Sequence, residues 1–279
     1  MTQARVADRV LGDIPVRVHY PAGATAPLPV VVFSHGLGGS RLGYGSLGRF
    51  WAEHGYLSVH PSHRENIPFG AVEAERPSLS TLRAMKEAID DARNWEARPR
   101  DLAAVIDGLP NLQIPVLEGK FDASRIAVAG HSYGAYTALL CAGARIRLDG
   151  KTRDFPERRA QAFIALSPPG NGSRGLDAAS WAAIAAPVLC VTGTRDEGFQ
   201  GEPPAWREES FRAMQPPEKT LVVVEGAEHF TFSGGRPRRA ADPAHLRDIE
   251  AATLWFLDRH LKGDPRAFPQ LAGSRVEQK

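Results

Sequence analysis

The sequence has only two cysteines among its 279 residues, Cys141 and Cys190, and each stands among apolar neighbours. So few cysteines exclude a disulfide scaffold, no CxxC spacing indicates a bound metal, and we expect both in the core. No run of about 18 consecutive apolar residues is present, which excludes a hydrophobic helix that crosses a membrane. Residues 1–10 contain no apolar segment of the secretory type. We therefore expect a cytoplasmic protein, although a chain trimmed of its leader would look the same.

An excess of charge of one sign is also missing, because 34 basic and 32 acidic residues give a net charge of +2 at pH 7. Such a balance gives no reason to expect nucleic acid or an anionic membrane as partner. Two local arginine clusters are interpreted as solvated surface: Arg153, Arg158 and Arg159, and Arg236, Arg238 and Arg239. The remaining expectation is a small-molecule substrate, while the oligomeric state stays open.

Short apolar, β-branched runs recur at long intervals along the chain, with helical patterns between them. The runs are Val30–Phe33, Tyr56–Val59, Ile126–Ala129, Phe163–Leu166, Val188–Val191 and Leu221–Val224. Continuous apolar runs are typical of strands buried on both faces, in a parallel sheet covered by helices. Before them, Val16, Val18 and Tyr20 alternate with polar residues and predict a half-exposed antiparallel edge strand. The pattern predicts a single doubly wound α/β domain over residues 1–263, with a mostly parallel sheet.

Two stretches break this alternation of strands and helices. Residues 64–97 contain prolines and a charged helical segment, Leu82–Asp91, and we expect a cap or long loop over one end of the sheet. Residues 264–279 form a polar C-terminal tail, which we expect to be frayed.

The segment Gly130-His131-Ser132-Tyr133-Gly134 is the single GxSxG motif of the chain. A buried-strand pattern leads into it and a helix pattern of small residues leads out. This context is typical of a nucleophile elbow, a sharp turn between strand and helix that holds a serine hydroxyl clear of the sheet. We therefore predict that Ser132 is a nucleophile; the alternative is an ordinary Gly/Ser turn.

A serine hydroxyl is a weak nucleophile at neutral pH, so it needs a base, and the base needs a group that orients it. In this kind of sheet the chain order is Ser, acid, His, each just beyond the end of a strand. We predict Asp196 as the acid, ahead of its neighbour Glu197, because Asp196 comes first after the strand and its turn. His229 follows the next strand and is the predicted base, because His245 and His260 belong to the terminal helical pattern.

A glycine-rich loop, residues 34–39, leaves the first core strand. Such a loop brings a backbone N–H group to the negative charge that develops on the substrate oxygen. We predict that the amides of Leu37 and Tyr133 form an oxyanion hole. Gly38 is predicted to contact substrate, and the His35 ring to shape the loop.

Five further residues have weaker signals. Trp181, Phe230 and Phe232 flank the predicted catalytic loops and are candidates for lining a substrate pocket, with core packing as the alternative. His60 and His63 have a spacing compatible with a metal pair, but no further ligand cluster supports a metal. We interpret these two histidines as part of a loop beside the catalytic edge.

Together these segments resemble the α/β-hydrolase superfamily and, more narrowly, the platelet-activating-factor acetylhydrolase and dienelactone-hydrolase-like esterases. The resemblance rests on residues 32–39 (VFSHGLGG), on Glu53-His54-Gly55-Tyr56 with His63-Arg64, and on residues 130–134 (GHSYG). It covers roughly residues 15–262.

The resemblance implies a serine carboxylic ester hydrolase that works through an acyl-enzyme on small to medium soluble esters, without metal or organic cofactor. Dienelactone hydrolases use a cysteine nucleophile, whereas this chain has Ser132, which favours ordinary ester hydrolysis. A lipase, polyester hydrolase or acyltransferase with the same triad is the alternative among enzymes. A catalytically inactive binding module is the alternative from another class.

Overall fold

The central element of the fold is a nine-stranded sheet, seen in a computed structural model that describes residues 2–64, 78–117, 120–236 and 239–279. Its strands are β1 (Ala4–Leu11), β2 (Ile14–Pro21), β3 (Leu28–Ser34), β4 (Leu57–Pro61), β5 (Phe121–His131), β8 (Ala160–Leu166), β9 (Val188–Arg195), β10 (Lys219–Glu228) and β13 (Ser274–Gln278). Two small hairpins complete the strands, β6 (Ile146–Leu148) with β7 (Lys151–Arg153), and β11 (Gly235–Arg236) with β12 (Arg239–Ala240).

The strand order is β1-β2-β4-β3-β5-β8-β9-β10-β13. The six strands from β4 to β10 in this order are parallel, and the strands at both ends of the sheet are antiparallel. The helices are α1 (Gly45–Glu53), α2 (Leu79–Asp90), α3 (Ala92–Gly108), α4 (Tyr133–Cys141), α5 (Glu209–Ala213) and α6 (Pro243–Leu261). This arrangement confirms the predicted α/β fold with a mostly parallel sheet.

Helices cover both faces of the sheet because successive strand residues point to opposite sides. In β3, Val30 and Val32 pack into one core, which includes residues of α3 and α4. Val31 and Phe33 pack into a second core on the other face, with residues of α1 and α6. Cys141 and Cys190 are buried free thiols, as predicted.

The predicted edge strand is antiparallel, as expected, but its place at the edge is wrong. β1 pairs with β2 along its whole length and takes the edge position. β2 is therefore internal, and its polar residue His19 is only 4% exposed. Gly48 of α1 lies so close to the His19 ring that an added Cβ would overlap it.

The expectation that residues 264–279 fray is wrong for their last part. Ser274–Gln278 form β13, which pairs antiparallel with β10 and extends the sheet beyond residue 263. Val276 packs against the second core, and the carboxylate of Asp248 in α6 accepts hydrogen bonds from Gly273 N–H and the Ser274 hydroxyl. Partners distant in sequence therefore hold a polar segment in place.

The predicted cap falls partly outside the described residues, which omit 65–77. Its charged helix is present as α2, Leu79–Asp90, followed directly by α3. None of the helices that the structure describes is long and apolar enough to cross a membrane.

Candidate active site

Ser132 stands in the sharp turn between β5 and α4. Its backbone has φ 56° and ψ −114°, a conformation that side-chain-bearing residues rarely adopt. A Cβ on Gly134 would overlap the carbonyl oxygen of Ser34, and a Cβ on Gly130 would overlap that of Gly134. Only glycine fits at both positions of the GxSxG motif, which explains why the sequence has this spacing. Strain concentrated at one serine is a feature of functional sites.

The structure brings Ser132, Asp196 and His229 together at the carboxyl ends of the strands. His229 Nε2 lies 3.0 Å from Ser132 Oγ, and His229 Nδ1 lies 2.9 Å from Asp196 Oδ1. Asp196 follows β9 directly, and His229 opens the 3-10 turn His229–Ser233 after β10. The Asp196 side chain is fully buried, whereas a quarter of the His229 side chain is exposed. The neighbouring Glu197 is exposed.

Several hydrogen-bond donors fix the Asp196 carboxylate. The Thr192 hydroxyl donates to Oδ2 at 2.9 Å, and the Ser167 hydroxyl donates to Oδ1 at 3.0 Å. Arg207 Nε lies 3.3 Å from Oδ1. Burial would raise the pKa of this carboxyl, but the hydrogen bond to His229 and the charge of Arg207 outweigh it and lower the pKa. Asp196 is therefore an ionised acceptor beside the His229 ring.

His131, inside the motif, links the base to the glycine-rich loop. Burial lowers the pKa of His131 well below its usual value, so its ring is neutral. Its Nε2 lies 3.0 Å from the carbonyl oxygen of His229, and its Nδ1 lies 2.8 Å from the Tyr44 hydroxyl. Burial raises the pKa of Tyr44 to about 12, so this hydroxyl keeps its proton and donates a hydrogen bond to Nδ1. Gly36 N–H donates to the same hydroxyl at 3.1 Å.

A buried arginine, Arg98 of α3, also holds this loop, and the sequence analysis missed it. Its Nη1 donates to the His35 carbonyl at 2.5 Å, and its guanidinium stacks on the Tyr133 ring at 4.3 Å. Arg98 is 1% exposed, although Arg93 and Arg100 in the same helix are exposed. The sequence alone does not indicate which of these arginines has a buried side chain.

The predicted role of His35 in shaping the loop is confirmed. Its Nδ1 lies 2.7 Å from Gly36 O, and His63 N–H donates to its Nε2 at 3.3 Å. Leu37 and Gly38 follow on the same loop and are half-buried.

His60 lies 2.8 Å from the Ser58 hydroxyl. Within the described residues, no group of three or more potential ligands that could hold a metal is present.

A second Ser-His-Asp arrangement lies at the start of the glycine-rich loop, residues 34–39. Ser34 Oγ lies 2.8 Å from His63 Nε2, and His63 Nδ1 lies 3.2 Å from Asp101 Oδ2. Ser34 and the side chain of His63 have no exposed surface, and that of Asp101 is 2% exposed. Substrate has no access to this serine. The arrangement therefore braces the loop, and Ser132 is the serine with an accessible histidine.

Two of the three predicted pocket residues are core residues. Trp181 has no exposed surface, and its indole N–H donates to Asn171 at 2.7 Å. Phe232 is 3% exposed and packs in the second core. For both residues the structure favours the alternative of core packing, because the chain folds each ring inward. Phe230 is half-buried, and its ring lies 5.5 Å from the His229 ring. It lines a cavity of about 340 Å³, but Ser132, Asp196 and His229 are not among the residues that line this cavity.

Two further residues at the site were missed, Ser167 and Arg207. Ser167 directly follows β8 and precedes two prolines, so its place just beyond a strand end was a usable signal. Arg207 lies on the 3-10 turn Pro204–Glu208, 11 residues after Asp196. Its sequence context gives no sign that its side chain is buried.

Comparison with known proteins concerns the fold and the family of the chain. A sequence profile described as "Alpha/beta hydrolase family" matches residues 31–272. Platelet-activating factor acetylhydrolase from Cavia porcellus is 25% identical over 89% of this chain, and the protein of that name from Canis lupus familiaris is 26% identical over 86%. The chain spans only 61% and 60% of the length of these two relatives.

A solved structure of a provisionally assigned dienelactone hydrolase from Klebsiella pneumoniae is similar in fold. It is 17% identical, with a TM-score of 0.65, over 92% of this chain and 99% of the other. At this identity the likeness concerns the fold alone.

Proposed function

Because the chain belongs to the alpha/beta hydrolase family, we propose that it is a serine carboxylic ester hydrolase acting through an acyl-enzyme. The observation that carries the proposal is the line of contacts from Ser132 Oγ to His229 Nε2 at 3.0 Å and from His229 Nδ1 to Asp196 Oδ1 at 2.9 Å. This is the spacing that activation of a serine hydroxyl requires. The partial exposure of His229 beside a buried acid supports it further.

In the proposed mechanism, Ser132 Oγ attacks the ester carbonyl while His229 Nε2 takes the hydroxyl proton. Asp196 accepts a hydrogen bond from Nδ1 and stabilises the imidazolium that forms. His229 then gives the proton to the leaving alcohol, and the acyl group stays on Ser132. A water molecule attacks the acyl-enzyme by the same route in reverse and releases the acid.

The amides of Leu37 and Tyr133 are the proposed oxyanion hole. Gly36 N–H already donates to the Tyr44 hydroxyl, so Leu37 is the next amide on the loop that can serve. Tyr133 is the residue after the nucleophile and the first of α4, where a helix has free N–H groups to offer. Loss of one such donor typically costs about 2.7–4 kcal/mol of transition-state stabilisation.

We propose small to medium soluble esters as substrates, and their short acyl groups have the support of two relatives named as acetylhydrolases. Phe230 beside His229 supplies an apolar wall for such a group. An apolar pocket gains about 0.8 kcal/mol for each methylene that it buries, until it is full. A lipase or polyester hydrolase with the same triad would instead prefer long or polymeric acyl chains.

The test combines labelling with turnover of p-nitrophenyl esters. A fluorophosphonate probe should label the wild-type protein at Ser132. Ser132→Ala should lose the label and nearly all turnover while it keeps the fold, and Ser34→Ala should keep the label. Turnover in the wild type should be highest for acyl chains of about four to six carbons.

Full turnover by Ser132→Ala, or a label on Ser34, would overturn the mechanism. A maximum at about twelve carbons or more, with a jump in rate above the solubility limit, would favour the lipase. A correctly folded wild type with neither label nor turnover would favour an inactive binding module.

A further inference from the structure

Arg207 is a buried cation that joins two catalytic loops. It is 4% exposed. Its guanidinium donates to carbonyl oxygens after β8, at 3.4 Å from Ser167 O and 3.3 Å from Pro168 O. It also donates after β9, at 3.4 Å from Asp196 O and 2.9 Å from Glu197 O. One side chain thus sets the spacing between the loop that carries the Ser167 hydroxyl and the loop that carries the acid.

The same guanidinium faces the side chains of the triad. Arg207 Nε lies 3.3 Å from Asp196 Oδ1, and Arg207 Nη2 lies 3.3 Å from His229 Nδ1. A positive charge so close to a ring that must gain a proton opposes that protonation. At the same time it compensates the buried carboxylate, which would otherwise favour a permanently charged imidazolium.

We propose that Arg207 is a positioning residue of the triad, which fixes the Asp196 loop against the Ser167 loop and places beside the His229 ring a positive charge that opposes protonation of the ring. The proposal rests on the proposed function. The positive charge of the guanidinium thus partly offsets the negative charge of the Asp196 carboxylate at the His229 ring.

Several other groups also face His229. Asp196 faces it from the end of β9 and is ionised, because its pKa is lowered. His131, from the end of β5, has its ring 4.8 Å away and is neutral, because burial lowers its pKa. Glu228 precedes His229 on the chain, and its carboxylate is 3.4 Å from the exposed Arg239 guanidinium. Ser132 and Ser167 present uncharged hydroxyls. Arg207 is thus the one cation in contact with the ring among the described residues.

The experiment separates the charge of Arg207 from its geometry. Arg207→Gln removes the charge, Arg207→Lys keeps it without the planar fork, and Arg212→Gln removes an exposed arginine of α5 as the matched control. kcat/KM for p-nitrophenyl butyrate is measured from pH 5 to 9. The rate of fluorophosphonate labelling is followed over the same range.

For Arg207→Gln, the midpoint of the acid limb should move up by about one pH unit, because the imidazolium is no longer opposed. For Arg207→Lys, the midpoint should stay near that of the wild type while kcat/KM on the plateau falls about tenfold or more, because the carbonyl contacts are lost. Arg212→Gln should match the wild type in both.

An unmoved midpoint in Arg207→Gln overturns the electrostatic role, and a wild-type plateau in Arg207→Lys overturns the positioning role. Near-UV circular dichroism checks the fold. If Arg207→Gln does not fold, Arg207→Met replaces it as the uncharged variant. Failure of the proposed function would look different, since the wild type itself would then show neither labelling nor turnover.

Discussion

At the scale of single residues, Asp196 and Glu197 differ in what surrounds them rather than in their chemistry. The Asp196 carboxylate accepts hydrogen bonds from Thr192 and Ser167 and contacts His229, whereas the Glu197 side chain is exposed. From the sequence alone, Asp196 is preferred over Glu197 as the acid only because of its position after a turn. The structure supplies the physical reason, because one carboxylate lies within reach of the base.

We expect Asp196→Asn to lower kcat by about 10⁴-fold, because an amide in that place favours the wrong tautomer of His229. Glu197→Gln should lower kcat less than about threefold, since an exposed side chain contributes little. Steady-state kinetics with p-nitrophenyl butyrate, on variants whose melting temperatures are compared, measure both effects. The reverse order of effects would assign the acid to Glu197.

The buried arginines mark the limit of prediction at this scale. Ser132, Asp196 and His229 were predictable because each follows a strand in an order that the fold fixes. Arg98 and Arg207 lie in segments rich in charge, where an arginine is normally solvated. Both are buried because several backbone carbonyls converge on each guanidinium. Such convergence arises only after the loops have folded.

At the scale of elements, the strands with apolar runs could be predicted from the sequence, whereas the polar strand β13 could not. The continuous apolar runs of β3, β5, β9 and β10 identify strands covered on both faces. β13 has no such run, and its pairing with β10 depends on residues about 50 positions away in sequence. Local pattern contains no information on a contact of that range.

At Gly134, in the first turn of α4, helix propensity and packing predict opposite effects of an alanine substitution on stability. Replacing glycine by alanine in a helix normally stabilises by about 1 kcal/mol. At Gly134 an added Cβ would overlap the Ser34 carbonyl, so we expect Gly134→Ala to lower the free energy of unfolding by about 2 kcal/mol or more. Urea denaturation, followed by circular dichroism, measures the change.

The matched control is Gly45→Ala, at the first position of α1. There the nearest atom to an added Cβ is 3.9 Å away, an ordinary contact. This variant should be as stable as the wild type or more stable by up to about 1 kcal/mol. A Gly134→Ala variant as stable as Gly45→Ala would show that the elbow relaxes without cost.

At the scale of the whole molecule, burial lowers the pKa of four histidines in the folded protein, and these four become solvated when it unfolds. Burial lowers the pKa of His19 to about 4 and holds the pKa of His35, His60 and His131 well below the usual value. In the unfolded chain each has a pKa of about 6.5. As the pH falls below that value, the unfolded chain takes up protons that the folded protein does not, so the free energy of unfolding decreases.

His19 allows this dependence to be measured one residue at a time. Both of its ring nitrogens lack a hydrogen-bond partner among the described residues, so His19→Leu removes no hydrogen bond there and should change stability little at pH 8. Between pH 6 and 5 the variant should lose stability less steeply than the wild type, by about 1.4 kcal/mol per pH unit, because one proton fewer is taken up on unfolding. Val18→Ala, on the same strand, should lower stability yet keep the wild-type slope. Urea unfolding at each pH gives these slopes, and an unchanged slope in His19→Leu would mean that His19 is already protonated in the folded protein.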